Sequence, residues 1–317
     1  MPQVEENFLQ VLRDYTAGDP MRENVRWTNL TQKEIAVRLA AAGTPVSVTV
    51  VKALLHEPRY RKRKAQKAQA RGTHPERNAQ CEQLAQLQHE YLASENPMVS
   101  IDTKKKELLG NFYRPGQLYT QEVVKTFDPD FPSAALGVVI PHGVYDLKRN
   151  PGYMSLGTSH DTSEFACDSL LRWWESEQGH ATYPQATSLL LLCDGGGSNN
   201  ATPYLCKQDL QGLADRLGLE IRVAHYPPYA SKYNPIEHRL FPHLTRACQG
   251  VIFHSLDLVK ELMAKTKTRT GLRVTVDILD KVYQTGRKCL ESFKQKMPII
   301  FDAVLPKWNY RAVPGPL

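Results

Sequence analysis

Apolar residues recur along the chain with two different periods, and the change of period divides it. Between residues 28 and 57 the spacing is helical. Thr31-Gln32-Lys33-Glu34 has the form of a capping box, in which a threonine hydroxyl and a glutamate three residues on satisfy free N–H groups of the first turn. The helix it opens carries Ile35, Leu39 and Ala42 along one face. Gly43 breaks it and Pro45 follows. Ser47 can cap a second helix with Val51, Leu54 and Leu55, which Pro58 ends. Two short helices joined by a glycine-containing turn predict a helix-turn-helix. Residues 1–26, ahead of it, are polar and show no clear period. Over 76–94 a further amphipathic helix is expected, with Leu84, Leu87 and Tyr91 on one side.

From residue 98 strands and helices alternate. Met98–Ile101 reads as a short strand ending at Asp102, with Leu108–Tyr113 as its hairpin partner. Leu136–Ile140 and Gly143–Asp146 form the next strand region. Asn150-Pro151-Gly152 is a turn, followed by a strand over Tyr153–Leu156. A helix begins near Thr162, with Ala166, Leu170, Trp173 and Trp174 on one face. Leu189–Cys193 is a buried strand ending at Asp194. A helix with Leu210, Leu213 and Leu217 follows, then a strand over Ile221–Ala224, a break at Pro227-Pro228, and a helix from Pro235. Three strands, then helix and strand in turn, predict an α/β fold: a ribonuclease H-like mixed sheet with flanking helices, preceded by a small helix-turn-helix region. The expected division is 1–71 for the helix-turn-helix with a basic run, 72–97 for a helical linker, and 98–317 for the sheet domain.

Composition narrows the function classes. The formal net charge is +7 over 317 residues, which favours a polyanionic partner. Arg59, Arg61, Lys62, Arg63, Lys64, Lys67 and Arg71 fall within 59–71, with no acid among them. Such a run suits DNA phosphates, although a solvated helix face has the same composition. The six cysteines form no CxxC pair and read as reduced thiols, in keeping with a cytoplasmic protein. There is no apolar signal core at the N-terminus and no stretch of the roughly 18 apolar residues that a membrane span needs.

Three acids stand at matching places in this pattern. Asp102 ends the first strand, Asp194 ends the fourth, and Glu237 begins the helix after the fifth. Ligand sites of alternating sheets gather at the carboxyl ends of strands. Carboxylates drawn close together repel one another unless a hard cation lies between them. Mg²⁺, held as a pair of ions, would activate an attacking oxygen and stabilise the leaving oxygen of a phosphodiester, with no covalent enzyme intermediate. The flanks agree. Asp194 runs into Gly195-Gly196-Gly197-Ser198-Asn199-Asn200, where a phosphate backbone can come close and Ser198 and Asn199 can bond to it. Asp102 is followed by Lys104 and Lys105. Lys232 and Arg239 flank Glu237, and with Arg61, Lys62 and Arg63 they complete the expected DNA contacts.

Each residue also has a plainer reading. Asp102 and Asp194 can be turn residues. Asn234, Pro235 and Glu237 can form the start of a helix, with Glu237 at the third position as a capping acid. Asp161 can be a fourth acid or part of the cap of the next helix, and the cap is favoured. Trp173 and Trp174 read as core, and His225 and His238 as structural or DNA-contacting.

IDTKKKELLGNF, GVYDLKRNPGYMSLGTSHDTSEFACDSLLRWW, LLLLCDGGGSNN, HYPPYASKYNPIEHRLF and the closing KWNY resemble the Rhodopirellula-transposase group of DDE insertion-sequence enzymes, the ISAzo-thirteen-like group, over about residues 25–310. The resemblance implies a ribonuclease H-like catalytic domain, a requirement for Mg²⁺ or Mn²⁺, and the DDE roles for Asp102, Asp194 and Glu237. It implies cleavage and strand transfer at insertion-sequence ends, with terminal inverted repeats and target DNA as partners. A homo-oligomer that holds both ends, working in the bacterial cytoplasm away from any membrane, is also expected. Two features depart from the group: a longer N-terminal DNA-binding region is usual there, and Ser47-Val48-Thr49-Val50-Val51 lacks a basic residue near Val48. The competing functions are a catalytically silent DNA-binding relative and a structure-selective ribonuclease H-like nuclease.

Overall fold

The computed structural model describes residues 2–19, 22–56, 60–63, 74–195, 204–228, 230 and 233–315. The chain forms two compact units, Met1–Gln69 and Ala70–Leu317.

In the first unit, α1 (Pro2–Asp14) precedes an antiparallel pair, β1 (Thr16–Asp19) and β2 (Arg22–Thr28). Then come α2 (Gln32–Ala41) and α3 (Val48–His56). The predicted capping box opens α2, with the Thr31 side chain accepting from Glu34 N–H and the Glu34 carboxylate accepting from Thr31 N–H. Gly43 closes the turn in the left-handed region at φ 79°, where a side chain would be strained. Residues 1–26 differ from expectation. They hold a helix and a hairpin, and Phe8, Val11 and Leu12 of α1 pack on Ile35, Leu39 and Val51. The signal was present at i, i+3, i+4, inside an otherwise polar stretch.

The second unit begins with α4 (Arg77–Leu92), β3 (Met98–Thr103), β4 (Glu107–Leu109), β5 (Gly137–Asp146) and β6 (Gly152–Gly157). It continues with α5 (Ser163–Glu175), β7 (Ser188–Cys193), α6 (Tyr204–Leu217) and β8 (Glu220–His225). Next are α7 (Pro235–Arg239), α8 (Phe241–Ala247), α9 (Leu256–Ala264) and β9 (Val274–Ile278). The unit ends with α10 (Glu291–Lys296), β10 (Ile300–Phe301) and β11 (Asn309–Ala312). The sheet order is β10-β11-β8-β7-β3-β5-β6-β9, with β4 paired to β5. Strands β7 and β8 run parallel to β3, and β5 runs antiparallel to both β3 and β6. This is the ribonuclease H-like order that the strand pattern predicted. Leu108–Tyr113 is not the partner of the first strand. That place belongs to β5, which is one continuous strand, while residues 107–109 pair with its outer end. Strands β9, β10 and β11 extend the sheet at both edges and carried no alternating signal strong enough to predict.

Alternation fixes the two faces. Val99, Ile101, Leu189, Leu191 and Cys193 face α5 and α6, in a core that buries Trp173 and Trp174 as expected. Met98, Leu190 and Leu192 face α4. Side chains of a strand repeat a face every second residue. Asp102 and Asp194 therefore lie on the face of Met98 and Leu192.

Candidate active site

The parallel register sets the first two acids side by side. Ser100 is paired with Leu192, so Asp102 and Asp194 each stand two residues beyond the same rung. The third acid is brought over by a buried polar tie. Asn234 is 0% exposed; its carboxamide oxygen takes the Ser100 hydroxyl proton, and its Nδ2 donates to Ile101 O at 3.2 Å. Ser100 Oγ in turn accepts Ile236 N–H at 3.1 Å. The start of α7 is thereby locked to the last turn of β3, and Glu237 is carried toward Asp102. Space for this is made at Gly143, which faces Asp102 across the β3–β5 pair. A Cβ there would meet Ile236 Cδ1 at 2.8 Å and Phe241 Cε1 at 2.9 Å. Asn234 stands at the N-cap of α7 with Pro235 after it, as expected, but its side chain makes no cap bond and is spent on β3 instead.

Asp102 is half-buried and accepts Thr103 N–H at 2.7 Å. Burial, followed by the charge of Asp194, pushes its carboxyl up to about 7; the Thr103 N–H opposes this, and the charge and hydrogen bond of Glu237 add to it. Asp102 thus feels both of the other acids. Among the described residues, no group of three His, Cys, Asp or Glu side chains is placed to hold a metal ion. The donor chemistry nonetheless fits one. Carboxylate oxygens are the ligands Mg²⁺ and Mn²⁺ prefer, and the repulsion that raises Asp102 is the kind a divalent cation relieves. Glu237 is exposed and meets Asp102 through its side chain.

Asp194 is held through its backbone. His225, 1% exposed, meets Asp194 O at 3.0 Å through Nδ1 and Tyr310 Oη at 3.1 Å through Nε2. Burial holds its imidazole down at about 4, so it is neutral, with Nδ1–H donating and Nε2 accepting. This assigns His225 a structural role. Sequence reasoning did not find Ser100, Gly143 or Tyr310, since an isolated Ser, Gly or Tyr in a strand carries no periodic signal.

The expected DNA contacts divide. Lys105, Arg239, Arg61, Lys62 and Arg63 are exposed. Lys104 differs: it is 9% exposed and ion-paired with Glu107, which also holds Arg114. Glu237, Lys104, Lys105 and Arg114 all line one cavity of about 630 Å³. Ser198, Asn199 and Lys232 lie outside the described residues, as do Gly196, Gly197 and Asn200, and Arg59, Lys64, Lys67 and Arg71 of the basic run. Asp161 does not cap α5; Thr162 does, accepting Phe165 N–H.

A family profile described as the Rhodopirellula transposase DDE domain matches residues 7–314. The chain belongs to this family. It is a DDE transposase, an enzyme that cleaves and joins DNA strands with the help of divalent metal. No curated protein sequence matches it. Among solved structures, the transposase is similar to the mariner Mos1 paired-end complex with Mg at 16% identity and a TM-score of 0.48, over 81% of this chain and 68% of that one. A pre-cleavage Mos1 transpososome gives 15% and 0.46, over 81% and 69%. The Mos1 paired-end complex with left transposon end gives 16% and 0.45, over 81% and 68%. At these values no residue correspondence follows. Among the described residues no helix is long and apolar enough to cross a membrane.

Proposed function

We propose that Asp102, Asp194 and Glu237 are the catalytic carboxylates of this transposase and together hold two Mg²⁺ or Mn²⁺ ions. The observation that carries the reading is that burial and the charges of Asp194 and Glu237, acids 92 and 43 residues apart along the chain from Asp102 to Glu237, together raise Asp102 to about 7. When bound, the cations supply Lewis acidity for the attacking and leaving oxygens of a phosphodiester. The chain's own residues set the stage. The Asn234–Ser100 tie holds Glu237 against the strand end, Thr103 N–H orients one oxygen of Asp102, and His225 fixes the carbonyl of Asp194.

The first unit, with the basic run up to residue 71, serves DNA binding, and the sheet unit serves catalysis. Among the described residues, Lys52, Arg61 and Lys62 line a cavity of about 420 Å³ in the first unit, which suits a phosphate backbone. Lys105 and Arg239, with Ser198, Asn199 and Lys232, contact DNA near the acids, whereas Lys104 supports the cavity wall. The partners are the terminal inverted repeats of an insertion sequence and the target DNA. A homo-oligomer holds both ends, in the bacterial cytoplasm where that DNA lies.

The test is nicking of terminal-repeat DNA with Mg²⁺ or Mn²⁺ against EDTA. Asp194→Asn should abolish cleavage and leave DNA binding within about twofold, since one carboxylate is lost and no phosphate contact is touched. Cleavage by Asp194→Asn at the parent's rate would remove the assignment.

A further inference from the structure

On the face of the sheet opposite the three acids, a fourth acid reaches the same strand end. Thr103, the residue after Asp102, points to the α5 side, as does His142, its register partner on β5. His142 Nδ1 meets Ser169 Oγ of α5 at 2.9 Å, which marks that side. The Thr103 hydroxyl donates to Asp161 Oδ1 at 3.1 Å. Thr103 N–H is the donor that orients Asp102 Oδ1 at 2.7 Å. One residue therefore couples the two aspartates, its backbone serving Asp102 and its side chain serving Asp161.

The loop that carries Asp161 is itself braced. Ser159 Oγ accepts Tyr283 N–H at 2.9 Å, and His160 Nδ1 meets Tyr283 O at 3.0 Å. Thr162 caps α5 without help from Asp161. Capping leaves the Asp161 carboxylate unexplained; it accepts the Thr103 hydroxyl and its charge also acts on the buried His142. Beyond Thr103, Lys104 N–H donates to Pro141 O at 2.9 Å, so the strand end is pinned on both sides of this link. Rotamers locked by supporting hydrogen bonds are what hold a catalytic group in productive geometry.

We propose that Asp161 is a positioning residue for Asp102, acting through Thr103 from the far face of the sheet. It does not ligate metal. The inference rests on the assignment of Asp102 as a catalytic acid.

The experiment measures terminal-repeat nicking by the full chain over a Mn²⁺ titration, with DNA binding and thermal unfolding recorded for every variant. Asp161→Ala should lower kcat about tenfold and raise the Mn²⁺ needed for half-activity, with DNA affinity unchanged. Asp161→Asn, which keeps the acceptor oxygen, should recover to within about threefold of the parent, and Thr103→Ser, which keeps the hydroxyl, should do the same. Thr103→Val should match Asp161→Ala, and the double variant should be no worse than either single change. Three results would each overturn the proposal: normal kcat in Asp161→Ala, Asp161→Asn as impaired as Asp161→Ala, or additive losses in the double variant. Asp102→Asn is run beside them. If it still cuts, the site assignment fails and this inference with it; if it is dead while Asp161→Ala is normal, only the coupling fails.

Discussion

The two corners of the acid site are held by opposite means. At the Asp102–Glu237 corner the fixing bonds join uncharged buried groups, the Ser100 hydroxyl and the Asn234 carboxamide, across 134 residues of sequence. At the Asp194 corner a buried imidazole grips a backbone carbonyl, and Tyr310 holds the imidazole. Their titrations also run in opposite senses. Burial and neighbouring acids push Asp102 up to about 7, whereas burial pushes His225 down to about 4. The first corner is built to attract positive charge, as a proton or a cation. At the second, the imidazole behind Asp194 stays uncharged. A two-point tie of buried polar groups positions a mobile acid, while a neutral histidine is enough to hold a backbone.

The largest effect should come from cutting the tie. Asn234→Ala leaves the Ser100 hydroxyl and the Ile101 carbonyl without their partner in the interior. It should reduce cleavage about 100-fold and lower the unfolding free energy by about 2–3 kcal/mol in denaturant titrations. The matched cut at the other corner, Tyr310→Phe, removes one bond to His225 and should cost about 1 kcal/mol, with cleavage reduced less than tenfold. If the second change proves as severe as the first, the two corners do not differ in the way described.

Acid should separate them next. An unfolded histidine takes its proton below about 6.5, and folded His225 only below about 4. Stability from this group is therefore complete above about 6.5 and is lost as pH falls toward 4, by up to about 1.4 kcal/mol per pH unit. His142, also held at about 4 by burial, adds a second loss of the same sign. Asp102 works the other way. Its folded carboxyl takes a proton at about 7 and an unfolded one near 3.9, so acidification over that range relieves the burial of its charge and the repulsion of Asp194 and Glu237. Unfolding measured from pH 4.5 to 8 should show a flatter acid limb in His225→Gln and a steeper one in Asp102→Asn. A smaller effect follows at pH 8 in EDTA: Asp102→Asn should melt about 2–4 °C above the parent, since removing roughly 1 kcal/mol of repulsion shifts a chain of this size by that much, while nicking is abolished. An unchanged or lower melting temperature would mean that the acids do not repel.

The smallest effect belongs to the flank. Lys105→Ala should lower the salt dependence of DNA binding by about one unit of log–log slope. Lys104→Ala should leave that slope alone and destabilise the fold, because its ammonium is already committed to Glu107.

The strand order, the capping box at Thr31 and the positions of Asp102 and Asp194 were legible because local period, cap chemistry and strand ends are written in adjacent residues. Glu237 was legible by its place at a helix start. What fixes it was not: Asn234 followed by Pro235 has the composition of an ordinary helix cap, and nothing nearby in sequence shows that its carboxamide turns to Ser100. The burial of Lys104 is hidden for a related reason. A run of three lysines looks uniformly solvated, yet strand alternation and Glu107 draw the first one inward. The helix α1 was hidden because its three apolar anchors, Phe8, Val11 and Leu12, sit among polar residues.

Binding of Mn²⁺ to the metal-free protein, followed by the loss of its free-ion resonance signal, tests the central claim most directly. The parent should bind Mn²⁺ at pH 7.5, with affinity falling about tenfold per pH unit below 7 as Asp102 takes up its proton. A variant carrying Asp102→Asn, Asp194→Asn and Glu237→Gln should not bind it measurably. Equal Mn²⁺ uptake by the parent and the triple variant would contradict the account.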